Sequence, residues 1–585
     1  MNFIKTAFTL CRQEQMRDTI RKFKTLLDEE EKRKIPVLGL ITIFGAFLEM
    51  LGVSMAVPLV TAILGKGRET ALKYIVLMVL VFLGKELFLI FETRYRTNFV
   101  YESRLRMQKK VLHAVLGKPY EYFLSEGTPE ILRLIQNDVA GTYSLLMTLL
   151  SLVSESVVTA ALIIAVLRIE PLMTVLIACI LAVLITVIIK CIRPVLKKQG
   201  EESRKNRTAA YKWLLQSIYG IKEIKVSSRE SYFEESYARA GDNAVEAEKK
   251  YAMISSIPRS IIELGCVCSA LGALAVMILM GRDMETLVPA AAAFAVAAVR
   301  LMPAAYRLVN TAGAAAYHGP GMDRLLQVLA ANDASGKHRE ADGAAERSPE
   351  GAAASRITLD REVCLDHVTY RYPESGELVL ENASLTVPAG STVGITGISG
   401  AGKTTAADLL LGLLPPQSGQ VLADGTDIQT NLAGWFGLAG YIPQSIFLLN
   451  GTIRENVVFG AEEDSEEKVW KALEEAQLAD FVRKQPDGLE TKVGERGIRL
   501  SGGQRQRVGI ARALYTDPAF LVFDEATSSL DTETESAILS SLKALHGKKT
   551  LVIIAHRPQT TENCDVIYRI ENGQAVLMPC GQKSR

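Results

Sequence analysis

Cysteine is scarce and unpatterned in this chain. Cys11, Cys179, Cys191, Cys266, Cys268, Cys364, Cys564 and Cys580 are scattered through 585 residues. That spacing offers neither a metal-ligand set nor a disulfide framework. Cys266 and Cys268 stand two apart in an apolar segment, where a helix points them to different faces, so both read as packing residues. A surplus of charge is lacking too. Lys and Arg number 66 against 65 Asp and Glu, a formal net charge of +1, so no electrostatic footprint argues for a nucleic-acid partner. The N-terminus has no uninterrupted apolar core followed by a small-residue cleavage site, so it reads as a retained cytosolic helix rather than a secretory signal.

What the chain does have is a division. Its length suggests two to four domains, and its composition separates them. Six apolar stretches, 35–64, 72–101, 145–169, 171–192, 260–281 and 286–310, are each long enough to cross a bilayer. Residues 1–34 and the loops 102–144 and 193–259 are crowded with Lys and Arg, whereas the other connections are short. Positive loops stay inside, which puts both termini and both long loops on the cytoplasmic side. Residues 331–360, rich in Ala, Gly, Ser, Glu and Arg, read as a flexible linker. Residues 361–585 alternate strand and helix patterns, as a soluble α/β domain does, and Cys364 and Cys564 should stay reduced there. The expected domains are therefore 1–330 in the membrane, the linker, and 361–585 in the cytosol.

The chemistry lies in the last domain. Gly397-Ile-Ser-Gly-Ala-Gly-Lys403-Thr404 fits the G-x-x-x-x-G-K-[ST] loop, whose backbone N–H groups turn toward a phosphate at a helix start. Gly397, Ser399, Gly400, Ala401, Gly402 and Thr405 would line the nucleotide. Lys403 would reach the β and γ phosphates and Thr404 would bind Mg²⁺. The unbroken apolar run Ala519–Phe523 reads as a strand buried on both faces, and it delivers Asp524 to the hydrated Mg²⁺ and Glu525 as general base.

Leu500-Ser-Gly-Gly-Gln504 narrows the class, for LSGGQ is the mark of the ATP-binding cassette. Residues 361–575 resemble ABC proteins throughout. The resemblance implies roles for further residues: Gln444 of Tyr441-Ile-Pro-Gln444 as the Q-loop residue sensing Mg²⁺ and the γ-phosphate, His556 as the switch histidine, Tyr372 as the adenine-stacking aromatic, and Asp531 in the D-loop. It also implies that Ser501, Gly502, Gly503 and Gln504 of one cassette cap the ATP held by another. One chain carries one of each motif. With Glu525, His556 and LSGGQ all intact, a homodimer with two working sites is the expectation. Membrane and ATPase parts fused on one chain look like an ABC exporter of the type I, domain-swapped kind. Glu121–Glu130 and Tyr219–Lys225 resemble its coupling loops, or else are ordinary amphipathic hairpins.

Basic residues in the apolar stretches give the cargo clue. Lys85 lies in the second stretch, Arg259 opens the fifth after Pro258, and Arg300 and Arg307 flank Pro303 in the sixth. Seven residues separate Arg300 from Arg307, about two turns, so they share a helix face. Such charges are costly in a bilayer unless paired or functional. Either they meet an anionic head group, or they pair with Glu49, Glu86, Glu92, Glu155 or Glu263, or they snorkel to the interface. The prolines suggest broken helices.

Phe47–Pro58, Ile257–Gly265 and Arg300–Arg307 resemble the PglK-type lipid-linked oligosaccharide flippases of the bacterial cytoplasmic membrane. That resemblance implies ATP-driven movement of a polyprenyl-diphosphate-linked sugar for protein glycosylation or surface-glycan assembly, with Arg259, Arg300 and Arg307 at positions that meet the diphosphate. Lys85 matches only as a cation. The connection near Gly65–Ala71 leaves no room for the family's short external helix. Exporters of other lipids, drugs or peptides share the same plan. No cysteine-peptidase segment precedes the spans, which argues against a leader-cleaving peptide exporter. A soluble-type ABC ATPase used as a molecular clamp and a non-transporting membrane regulator are the remaining alternatives; the six spans argue against the first and the intact Glu525 against the second.

Overall fold

The computed structural model describes residues 17–54, 68–169, 171–279, 302–331, 357–372, 376–524, 543–555, 561 and 564–578. The chain divides into two compact units, Met1–Lys118 with Glu126–Ser335, and Pro119–Ser125 with Gly336–Arg585.

The first unit is helical. Its long helices are Glu29–Ser54, Arg68–Leu116, Val139–Ile169, Pro171–Tyr219, Glu230–Leu279 and residues 302–331, preceded by a shorter helix at 17–26. Each of the six apolar stretches falls wholly or partly on one of them. Among the described residues, three helical segments are long and apolar enough to cross a membrane: Leu72–Leu116, Ala178–Tyr219 and Glu230–Leu279. The helices outrun the apolar runs, because a nucleated ladder continues through straight-chain polar residues whose heads stay in water. The Gly65–Ala71 connection is described only from Arg68, already helical, and the cations of the sixth stretch before Met302 lie outside the described residues.

One expectation is corrected. Helix Glu230–Leu279 runs through Pro258 without a break. Proline removes one backbone bond at about 3 kcal/mol. Packing supports the helix, since Ile262 and Cys266 share a buried cluster with Leu181, Ile188, Ala305 and Val309. Cys266 is therefore a core residue and Cys268 is exposed, on different faces as expected. The two helices Pro171–Tyr219 and Glu230–Leu279 are joined by the short helix Ile221–Ser227, stopped by Ser228 in the left-handed region. Farther along, a π-helical turn at Leu134–Asp138 ends in buried Asp138. That carboxylate accepts from Arg133 at 2.9 Å and from Arg204 at 3.2 Å, which pins the turn to helix Pro171–Tyr219. Removing one partner from such a buried set costs about 3–5 kcal/mol.

The second unit carries two sheets. One has the order β2-β1-β4-β5, with β1 Glu362–Arg371, β2 Leu378–Pro388, β4 Ser418–Ala423 and β5 Thr426–Asp427, all antiparallel. The other has the order β10-β9-β3-β8-β7-β6, with β3 Thr392–Thr396, β6 Ala439–Ile442, β7 Phe520–Asp524, β8 Thr550–Ile554, β9 Val566–Glu571 and β10 Gln574–Met578. Its pairs are parallel except β9 with β10. Every residue of β7 and β8 is buried, which is why their sequences read as unbroken apolar runs. Helix Lys403–Leu410 and Trp435 pack between the sheets, with the Trp435 indole donating to the Leu410 carbonyl at 3.0 Å. A second core gathers the helices from Ile453 to Tyr515.

Candidate functional site

Parallel register brings three chain ends to one edge of the larger sheet. Ile395 pairs with Ile554, and Asp524 pairs with Ile554 from the other side. The carboxyl ends of β3, β7 and β8 therefore lie side by side, the edge at which open α/β sheets bind ligands.

After β3 the chain curls into the loop 397–402 and enters helix Lys403–Leu410. Two of its glycines are required. Gly397 has φ 147° and a Cβ there would lie 2.7 Å from the Ile570 carbonyl oxygen, and Gly402 has φ 102° with a Cβ 2.8 Å from Val379. Neither position admits a side chain, so the backbone itself forms the cradle. Lys403 is buried, and its Nζ donates to the carbonyls of Gly397 and Ile398, each at 3.0 Å. Ser399, Gly400 and Thr404 are exposed on the rim, Ala401 lines it, and Thr405 is buried beneath. This is a geometry that fits a triphosphate: N–H groups at a helix N-terminus, an ammonium held within the curl, and a hydroxyl on the rim for a metal ion.

Tyr372 lies beside the cradle. Its hydroxyl shares a 3.2 Å hydrogen bond with Thr405, and its ring meets that of Tyr370 edge-on at 5.3 Å. Tyr370 is fully buried and donates to Glu121 Oε1 at 3.0 Å. Glu121 belongs to the short helix Tyr120–Ser125, which is part of this unit although its sequence lies far upstream. Thus one of the two segments read as coupling loops touches the residue behind Tyr372. Sequence reading named Glu121 only as the start of a coupling-loop segment; a pairing 249 residues apart has no local signal.

Asp524 is buried at the end of β7 and accepts from Tyr441 at 3.4 Å. Near it lies Asp408, which sequence reading missed; the sign was an acid inside Ala406-Ala-Asp-Leu-Leu-Leu411. Burial first, and then the Asp524 carboxylate, push the Asp408 carboxyl up to about 7. An unfolded aspartate titrates near 3.8. The folded state therefore holds the proton longer, and this contribution to stability is whole below pH 4 and lost as pH rises through 7. Asp408→Asn removes that dependence. Without nucleotide it should raise the unfolding midpoint at pH 8, by up to about 4 kcal/mol in stability, and change little at pH 4. Thermal melts at both pH values check this, and an equal shift at both would contradict it.

Gln444 is exposed just past β6. Ser501 caps helix Gly502–Tyr515: its hydroxyl accepts from the Gln504 N–H at 3.3 Å, while Gln504 Oε1 accepts from the Ser501 N–H at 2.9 Å. Gly502 is exposed and Gly503 is buried in the first turn, where a helix offers its N–H groups no carbonyl of its own. Gln504 thus serves its own helix, leaving Ser501 and Gly502 as the exposed residues at the helix start. Glu525, Asp531 and His556 lie outside the described residues. Their flanks do not: Asp524 precedes Glu525, and buried Ala555 precedes His556 with its N–H on the Ile395 carbonyl at 3.1 Å.

The membrane-region cations differ among themselves. Lys85 pairs with Glu86 at 2.9 Å and stands 4.8 Å from the centre of the Phe82 ring. Arg307 Nε lies 3.3 Å from Glu155 Oε2. Arg259 is exposed and makes no ion pair among the described residues. Arg300 lies outside them.

Residues 380–528 match the family model described as ABC transporter, and residues 35–287 match that of the ABC transporter transmembrane region. The ATP-dependent lipid A-core flippase of Ralstonia nicotianae is 43% identical over 215 residues, 36% of this chain and 36% of that protein. The chain thus matches about a third of that relative's length. The lipid A-core flippase of Photorhabdus laumondii is 29% identical over 549 residues, 92% of this chain and 91% of that protein. A solved bacterial Atm1-family ABC exporter with ATP bound superposes with a TM-score of 0.80 at 24% identity, covering 93% of this chain and 95% of that one, which establishes the fold.

Proposed function

We propose that this chain, which matches ABC transporter models over its transmembrane region and its ATP-binding domain, is an exporter half-transporter and an ATP-driven flippase for a polyprenyl-diphosphate-linked oligosaccharide. It works as a homodimer in the bacterial cytoplasmic membrane, with both termini in the cytoplasm.

ATP is the substrate of the cytosolic part. The loop 397–402 wraps the phosphates, Lys403 turns from its loop carbonyls to the β and γ oxygens, and Tyr372 stacks on adenine. Thr404, Asp524 and Gln444 would hold Mg²⁺, which when bound would supply positive charge against the charge developing on the transferred phosphoryl group. Glu525 takes the proton of the attacking water and His556 contacts the γ-phosphate. Ser501, Gly502 and Gly503 of a second copy close the site, with Asp531 at the junction. Closure and opening shift the membrane region between populations facing either side.

Arg259 carries the anionic cargo reading. An exposed guanidinium at the start of an apolar stretch, with no ion pair among the described residues, suits a diphosphate that it can grip with two N–H groups at once. Arg307, bound to Glu155, is the weaker contributor, and Lys85 is neutralised by Glu86. Similarity to a lipid A-core flippase over 92% of the chain favours a second reading, a phosphorylated glycolipid of another kind. The combined substitution Arg259→Ala, Arg300→Ala, Arg307→Ala should cut transport at least tenfold, as expected from losing charge-assisted contacts of about 1.5–3 kcal/mol each, while basal ATP hydrolysis stays within about twofold. Parallel transport and phosphate-release assays decide. Loss of both activities would mean these arginines are structural.

A further inference from the structure

A cavity of about 1010 Å³ opens in the first unit between helix 17–26, the start of helix Glu29–Ser54, Phe99 and one face of helix Val139–Ile169. Its walls are apolar, with Ile35, Phe99, Leu149, Val153, Val157 and Ala160 among them. Among the described residues two charged side chains line it, Lys24 and Lys32, and no carboxylate does. Lys32 is paired with Glu29 at 2.7 Å. Lys24 is exposed and has no ion pair among the described residues. None of these groups belongs to the nucleotide site or to the cations considered above.

We propose that this cavity binds one anionic phospholipid of the cytoplasmic leaflet, its phosphate on Lys24 and an acyl chain against helix Val139–Ile169. Two features select that occupant. The first is length. The wall from Leu146 to Ala160 rises about 21 Å, enough to cover the roughly 15 Å depth of one leaflet's hydrocarbon. The second is charge placement. Helix 17–26 buries Phe23 and presents Arg17, Arg21 and Lys24 outward, as an in-plane amphipathic helix at an anionic surface does. With Arg21 engaged by Asp18, Lys24 is the cation at the mouth left for a head group. A lipid held here ties the N-terminal helix to the third apolar stretch. The site is independent of the cargo reading, because it requires only that helix Val139–Ile169 lies in the bilayer and helix 17–26 at its surface.

The test uses the full-length protein in phosphatidylcholine nanodiscs doped with phosphatidylglycerol carrying a photoreactive acyl chain. Adducts should concentrate in residues 20–36 and 146–160. The matching phosphatidylcholine probe should label those peptides about fivefold less, the difference one lysine makes to an anionic head group at a membrane surface. Lys24→Gln, on the exposed face of its helix, should bring the two probes level. Leu149→Trp, which projects a larger ring from the cavity wall, should lower labelling by both, in protein whose ATP hydrolysis is unchanged. Equal labelling by the two probes in the unsubstituted protein would overturn the proposal. So would labelling that ignores both substitutions. A cysteine at Val153 that cross-links to a second copy of the chain would assign the cavity to the dimer and would overturn it as well.

Discussion

Lys403→Ala is expected to lower ATP turnover at least about 100-fold, the usual consequence of deleting a donor aimed at developing charge. The effect has two parts. Lys403 Nζ closes the loop by donating to the Gly397 and Ile398 carbonyls. Its loss leaves those carbonyls without the ammonium and loosens a curl that depends on positive φ at Gly397 and Gly402. In the nucleotide-bound state the same ammonium meets the β and γ phosphates, so both affinity and rate fall. Lys403→Arg should not rescue, because a planar guanidinium cannot occupy the compact space that a point-like ammonium fills. Phosphate release from purified protein measures this. Activity within twofold of the unsubstituted protein would remove Lys403 from the site.

Glu525→Gln should behave differently. It removes a general base, for which a loss of about 10²–10⁴ is expected, but leaves Lys403, Thr404 and Asp524 to bind the nucleotide. The chain should therefore retain ATP rather than merely fail to use it. Protein isolated after incubation with ATP and Mg²⁺ should carry unhydrolysed ATP in the Glu525→Gln form and little in the Lys403→Ala form. Normal hydrolysis by Glu525→Gln would show that another group polarises the water.

Local chemistry made much of the second unit legible before any coordinates. Strands β7 and β8 are buried on both faces, so their residues had to be apolar in succession. The loop after β3 needs glycine where a Cβ would strike Ile570 or Val379. Ser501 and Gln504 form a reciprocal cap three residues apart, a pattern visible in sequence. What escaped were relations between distant segments. Glu121 meets Tyr370, and the helical Asp408 is raised by burial and then by the Asp524 carboxylate of β7. In the membrane region the apolar runs marked which residues prefer lipid but not where hydrogen bonding ends, so Arg68–Leu116 extends beyond 72–101. Proline was over-read at Pro258, because a breaker's cost is a property of the isolated helix and packing can exceed it. The pairing of Arg307 with Glu155 could be posed from sequence but not chosen, since it depends on how two helices face each other.

ATP-dependent movement of a labelled polyprenyl-diphosphate oligosaccharide across liposomes containing the purified protein tests the central claim most directly. The account predicts translocation by the unsubstituted chain with ATP and Mg²⁺ and none by Glu525→Gln. An unsubstituted chain that hydrolyses ATP at full rate in those liposomes while the oligosaccharide stays on its original side would contradict it.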